Sequence, residues 1–233
     1  DSETQVRFGS ATGTLSLTAS LFSGASRVFT DGFSGITIGA TNGGAITVGG
    51  ALAFTDSASL VSGGNITLNS GASVSSSQAS GTLAIAAGAN FVNNAGASAV
   101  STTDAGANDR WVVYSANPAN ATFGPTSSTV LASGNGALWG QTFSNLAPTS
   151  VASGNRYVFA TSPSVTATTT NLTKTYGDTP SLASALAITM GAISSSAFTA
   201  PTVAEVFSTL PTMSSTGAAA SATVSGGPYA ITA

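Results

Sequence analysis

The chain has 233 residues, 6% of them charged, with eight acidic and five basic side chains, no histidine and no cysteine. A nucleic-acid surface needs a stripe of Lys and Arg to displace counterions from phosphates. Arg7, Arg27, Arg110, Arg156 and Lys174 stand singly, so nucleic acid is excluded as a partner, and the lack of cysteine excludes a disulfide framework. Hydrophobic residues make up 42%, unlike the apolar-poor, charge-rich composition of disordered chains, and no apolar run reaches the ~20 residues of a membrane helix.

The opening "DSETQVRFGSATGTLSLTASLF" alternates apolar positions at Val6/Phe8 and Leu15/Leu17. Residues 1–22 therefore read as a strand segment, open to exchange with another subunit. "TLSLTASLF" offers equally a strand of the stack that follows. From "GITIGA" onward one phrase recurs: a small turn, an apolar-x-apolar triplet, a Gly or Asp corner and a second short strand. The triplets are Ile46/Val48, Ile66/Leu68 and Leu83/Ile85, spaced 20 and 17 residues apart. Period-2 alternation with β-branched residues is a strand signal. Self-similarity near 20 residues points to units that bury their apolar face only by stacking. Residues 23–107 are thus expected to form the coils of a right-handed parallel β-solenoid.

The texture changes at "NDRWVVYSANPANATFG", which brings Trp111, Tyr114 and Phe123 together. An open stack end needs cover for its strand edges and core. Residues 108–162 read as that aromatic cap, with Trp111 and Tyr114 as the lid and "GALWGQTF" and "GNRYVFATSP" as further strands. Residues 163–233 read as a small β-sandwich-like, glycine-rich module. It begins with a threonine-rich strand and ends in two strands around the Gly-Gly-Pro of "ASATVSGGPYAITA". Val203, Val206, Phe207 and Leu210, after Pro201, have helical spacing and predict one short helix in an otherwise all-β chain.

"RWVVYSANPANATFG", "ALWGQTF" and "GNRYVFA" resemble the region that ends the β-helix of filamentous-haemagglutinin-like exoproteins, the bacterial surface proteins exported by two-partner secretion. "KTYGDTPSL" with "SGGPYAITA" resembles the mostly-β, glycine-rich module that follows it in many of them. The resemblance spans roughly residues 36–233. It implies a non-catalytic adhesin or matrix protein, secreted to the surface of a Gram-negative bacterium. The absence of cysteine suits a chain that crosses an oxidising periplasm unfolded. The module's Tyr-containing closing strand is absent after "PYAITA", and no secretion domain is recognisable. The chain is therefore expected to be a fragment, or a subunit whose last sheet is completed by another chain, with head-to-tail self-association by strand addition.

No residue is assigned a catalytic, cofactor-binding or metal-ligating role, and no cofactor is expected. In "KTYGD", Lys174, Tyr176 and Asp178 read as one turn: Gly177 takes a positive φ, Asp178 binds backbone N–H groups and Tyr176 packs its ring. The alternative to adhesion is a carbohydrate-binding or polysaccharide-cleaving β-helix. Binding needs exposed aromatics along a groove, whereas the aromatics here cluster after the coils as a cap. Cleavage needs two carboxyls on one bond. Only Asp104 and Asp109 lie close within the stack, with Arg110 at hand to pair with either. Asp104, Asn108 and Asp109 lack the spacing of a calcium loop. "SGNGALWG" is a turn without the following helix a phosphate loop requires. The Asn-X-Ser/Thr triplets at Asn65, Asn120 and Asn171 serve glycosylation only in a suitable secretory host.

Overall fold

The computed structural model describes residues 6–8, 15–17, 32–102, 109–191, 195–207 and 209–232. The chain is all-β in character. It divides into two units: one holds residues 1–162 and 194–200, the other residues 163–193 and 201–233.

The first unit is made of three parallel sheets visited in cyclic order. The seven-stranded sheet runs β1 (Val6–Phe8), β3 (Ile36–Ala40), β6 (Ala58–Ser62), β9 (Thr82–Ala87), β12 (Arg110–Ser115), β14 (Arg156–Phe159) and β13 (Leu138–Trp139). The second sheet holds β2 (Leu15–Leu17), β4 (Ile46–Val48), β7 (Ile66–Leu68) and β10 (Phe91–Asn93). The third holds β5 (Ala51–Phe54), β8 (Ser73–Ser76) and β11 (Val100–Thr102). From β3 to β12 the chain steps through first, second and third sheet and begins again, an arrangement consistent with a β-helix.

Registers stack like residue types on like. Ile46 pairs with Ile66 and Ile66 with Phe91; Ile38 pairs with Leu60 and Leu60 with Ile85. Leu52, Leu60, Ile66, Leu68, Val74, Leu83, Ile85 and Phe91 are fully buried. Each such side chain contributes roughly 1.5–3 kcal/mol of transfer free energy. Corners are tight. Gly63 N–H donates to Gly43 O at 3.0 Å and Gly88 N–H to Ser62 O at 2.7 Å. A Cβ on Gly88 would stand 2.7 Å from Gly63 O, so the corner admits no side chain.

Three expectations about the stack are corrected. The triplet Leu83/Ile85 does not continue Ile46 and Ile66. It lies in the first sheet, under Ala58 and Leu60, and Phe91 takes the next place after Ile66. The expected edge of the stack at residue 107 is not a break either, because β12 pairs with β9 from Arg110–Thr82 to Tyr114–Ala86. Nor do the amino-terminal strands stand apart, since β1 pairs with β3 and β2 with β4 within the same chain.

The first sheet is covered on both faces, as near-continuous apolar strands such as "RWVVYS" require. On one face Trp111, Tyr157, Phe123, Trp139, Phe159 and Phe198 gather ring against ring, with centroids 4.9–5.9 Å apart from Trp111–Tyr157 through Phe123–Tyr157 to Trp139–Phe198. On the other, Val61, Ala86, Val112, Tyr114, Val151 and Val158 form a second cluster, against which Leu138, Phe143 and Leu146 pack. Trp111 and Tyr114 are three positions apart on one strand, so they serve opposite faces. The lid expected from both is carried by Trp111 alone.

The second unit has one two-stranded antiparallel sheet, β15 (Val165–Thr169) with β16 (Leu186–Met190). Beside it are a single helical turn, α1 (Val203–Val206), and an isolated bridge between Ser214 and Thr232. The helix predicted after Pro201 is present but stops before Leu210. Glu205 Oε2 accepts from Thr202 N–H at 2.7 Å and from Thr202 Oγ1 at 3.0 Å, which fixes its start. The two strands expected around Gly-Gly-Pro are not formed: residues 224–226 make a 3₁₀ turn, and only Thr232 is bridged. With one small sheet among the described residues, the second unit is not a sandwich.

Candidate functional site

Every acidic side chain in the described residues accepts a backbone N–H, and Asp109 Oδ2 is buried without a partner among them. Asp56 is 1% exposed, and its Oδ1 accepts from Gly32 N–H at 3.4 Å and Phe33 N–H at 3.1 Å. Asp109 Oδ1 accepts from Gly81 N–H at 2.8 Å. Asp178 Oδ2 accepts from Thr175 N–H at 3.0 Å, and Glu205 caps α1 as above. Asp56 and Asp109 each precede a strand of the first sheet and reach back to the previous circuit. Such charge-assisted bonds fix corners. Asp104 and Asn108, the other members of the candidate acidic loop, lie outside the described residues. Arg110 places Nη2 3.2 Å from the carbonyls of Pro148 and Thr149, which ties the covering segment to the sheet. Among the described residues no three acidic side chains gather as a metal site would require.

The buried tyrosines are structural too. Tyr114 Oη donates to Leu146 O at 2.8 Å and Tyr157 Oη to Leu131 O at 2.7 Å. Burial pushes both phenols well above their ordinary range, and for Tyr114 the charge of Arg110 opposes the shift. A cavity of about 210 Å³ beside Tyr114 and Phe143 has no acidic or basic residue in its lining.

The "SGNG" part of "SGNGALWG" is a turn, as expected, Leu138–Trp139 are β13, and the turn receives a distant peptide. Ser133 N–H donates to Ala197 O at 2.7 Å, Thr199 N–H donates to Asn135 O at 3.1 Å, and Gly136 bridges to Thr199. This seats Phe198, 5% exposed, among the aromatic rings. Sequence reasoning missed this part of the cap. The only signal was an isolated Phe in a small-residue run, "AFTAP".

"KTYGD" is the turn its residues predicted, with one exception. Asp178 N–H donates to Thr175 O at 3.0 Å, and Gly177 has a φ of +96°. Gly177 N–H donates to Ala220 O at 3.1 Å. Lys174 Nζ donates to Asp178 O at 3.0 Å and also to Ala219 O. Lysine thus pins the turn to the loop before Gly-Gly-Pro. The exception is Tyr176: its ring was expected to pack, but it is 70% exposed. It stands at a groove of about 450 Å³ that also includes Lys174, Val224 and Tyr229.

The chain matches no family model, no curated protein and no solved structure. The triplet asparagines Asn65, Asn120 and Asn171 are all exposed, and Asn65 Oδ1 accepts from Asn90 N–H at 3.0 Å. No helix among the described residues is long and apolar enough to cross a membrane.

Proposed function

We propose that this chain is a non-catalytic extracellular scaffold of the filamentous-haemagglutinin type, acting as an adhesin or matrix component on a Gram-negative surface. Its first unit is read as a right-handed parallel β-solenoid, right-handed because parallel crossovers are so in nearly all cases. The observation that carries the non-catalytic part is the use of Asp56, Asp109, Asp178 and Glu205 as backbone anchors. A glycosidase keeps two carboxyls facing substrate, whereas these four face N–H groups of their own chain.

Self-association is part of the proposal. The strand β15 is half-buried at Val165 and exposed from Thr166 to Thr169, and a two-stranded sheet is marginal alone. A third strand from another copy would complete it by β-augmentation. The donor first suggested by sequence, residues 1–22, already pairs at β1 and β2 within its own chain, so donation would require those strands to leave β3 and β4. The test is adhesion and assembly together. Beads coated with the full chain should bind bacterial cells in amounts that coating with an unrelated β protein does not reproduce. Sedimentation should show association that grows with concentration. Hydrolysis of a polysaccharide by the chain would overturn the reading.

A further inference from the structure

We infer that the groove of the second unit binds an acidic saccharide, with Tyr176 as the stacking platform and Lys174 as the carboxylate donor. This goes beyond the scaffold reading and does not depend on it.

The first observation is a tyrosine with nothing over it. Tyr176 is 70% exposed in a turn held by five hydrogen bonds, so its backbone is fixed while its side chain packs against little. Tyr and Trp with one apolar face and one wet end are typical of binding surfaces. The same groove holds a second ring, Tyr229. Tyr229 Oη donates to Thr223 O at 3.0 Å. A Cβ on Gly217 would stand 2.7 Å from Tyr229 Cβ, and one on Gly226 would overlap Tyr229 Oη. Two glycines therefore make room for the ring.

The second observation is charge. Lys174 is the only lysine in the chain, and the residues lining the groove include no Asp or Glu. The ammonium has three N–H donors. Two go to the carbonyls of Asp178 and Ala219, and the third has no protein acceptor among the described residues. The nearby Asp178 carboxylate is held by Thr175 N–H and does not line the groove. The site thus offers a cation oriented by two carbonyls and open to an external anion.

The third observation is the remaining lining. Asn171, Thr173 and Thr223 supply amide and hydroxyl groups around the rings, and about 450 Å³ lies within the ~300–1,000 Å³ of small-ligand pockets. A pyranose has what this combination recognises: a face of C–H groups for a tyrosine ring, and equatorial hydroxyls for amide and hydroxyl partners. A uronic acid adds the carboxylate for Lys174. A proline-rich peptide also stacks on aromatic grooves, but it has no use for a lone cation.

The experiment is calorimetric titration of the full chain with trigalacturonate, and with maltotriose as the neutral comparison. Saturable binding of trigalacturonate is expected. Tyr176→Ala should weaken it about tenfold by removing the stacking face, with an unchanged unfolding midpoint because the ring is exposed, and Tyr176→Phe should retain it. Lys174→Met should weaken trigalacturonate about tenfold, the worth of a charged hydrogen bond, and by more than it weakens maltotriose, because loss of the clamp on the turn falls on both ligands and loss of the charge on the acid alone; Lys174→Arg keeps part of the preference. No saturable binding of trigalacturonate, equal affinity in Tyr176→Ala, or a proline-rich decapeptide binding in place of the saccharide would each overturn the inference.

Discussion

The two units hold themselves together in different ways. In the first, three parallel sheets repeat, and side chains such as Leu60, Ile66 and Ile85 are fully buried on neighbours of their own kind. In the second, β15 has exposed residues at four of five positions. Its order comes instead from local devices: the Asp178 turn, the Lys174 clamp, the Thr202–Glu205 cap and the Tyr229–Thr223 bond. A repeating stack spreads stability over many apolar contacts. A turn-built unit rests on a few polar ones, each worth about 0.5–1.5 kcal/mol net. The same difference leaves the second unit free to expose Tyr176, while the rings clustered on the first sheet close on one another.

The largest loss should come from the first unit. Trp111 is 3% exposed and lies edge-on to Tyr157 at 5.2 Å. Trp111→Ala should cost about 3–5 kcal/mol, as large aromatic truncations in cores do, read by denaturant unfolding. A loss below ~1 kcal/mol would mean that the first sheet's cap is not a core.

Phe198 sharpens the comparison because it lies in sequence between segments of the second unit. Phe198→Ala should destabilise the first unit by about 3 kcal/mol, the lower end for buried Phe. The loss should register as faster hydrogen exchange in β12 and β14. Exchange that changes only in β15 and β16 would assign the peptide to the second unit.

The alkaline limb should also separate them. The phenols of Tyr114 and Tyr157 are raised above the ordinary 10.0 in the folded chain, so above pH 10 the unfolded chain releases protons that the native one retains. Their contribution is full below pH 10 and is lost as pH rises from there toward the folded values. Tyr157→Phe should flatten this decline, followed by unfolding midpoints against pH. An unaltered decline would mean that Tyr157 is not the titrating group.

The smallest effect belongs to the turn. Asp178→Ala removes the acceptor for Thr175 N–H and should cost about 0.5–2 kcal/mol, as side-chain caps do. The loss should be confined to the second unit, measured by exchange at Thr175 and Gly177. A loss in β9 or β12 instead would contradict the separation of the two.

The strands were readable because β-branched alternation is local chemistry: the triplets at Ile46, Ile66 and Leu83 are all strands. Their alignment was not readable. Three strands per circuit all look apolar-x-apolar, so Leu83 was matched to Ile66 by likeness, though it belongs to the first sheet, one strand before the true partner Phe91. The fold of "KTYGD" was readable because Gly177 and Asp178 dictate a turn wherever they sit. The exposure of Tyr176 was not, since packing depends on what the rest of the chain leaves uncovered. The Thr202–Glu205 cap carried a visible sequence signature that the helical spacing alone did not use. The seating of Ala197–Phe198 on Ser133–Gly136 joins segments more than 60 residues apart, beyond the reach of any local pattern.

The central claim is the three-sheet order of the first unit, and the absence of cysteine permits a direct test by pairwise cross-linking. Thr67 is registered against Val92 in the second sheet, while Ala84 lies in the first. Neighbouring strands lie ~4.8 Å apart, within the Cα range of ~4.4–6.8 Å that a disulfide accepts. The double variant Thr67→Cys/Val92→Cys should oxidise readily to an intramolecular disulfide, and Thr67→Cys/Ala84→Cys should remain reduced under the same conditions. Ready oxidation of the second pair, with the first left reduced, would contradict the three-sheet order.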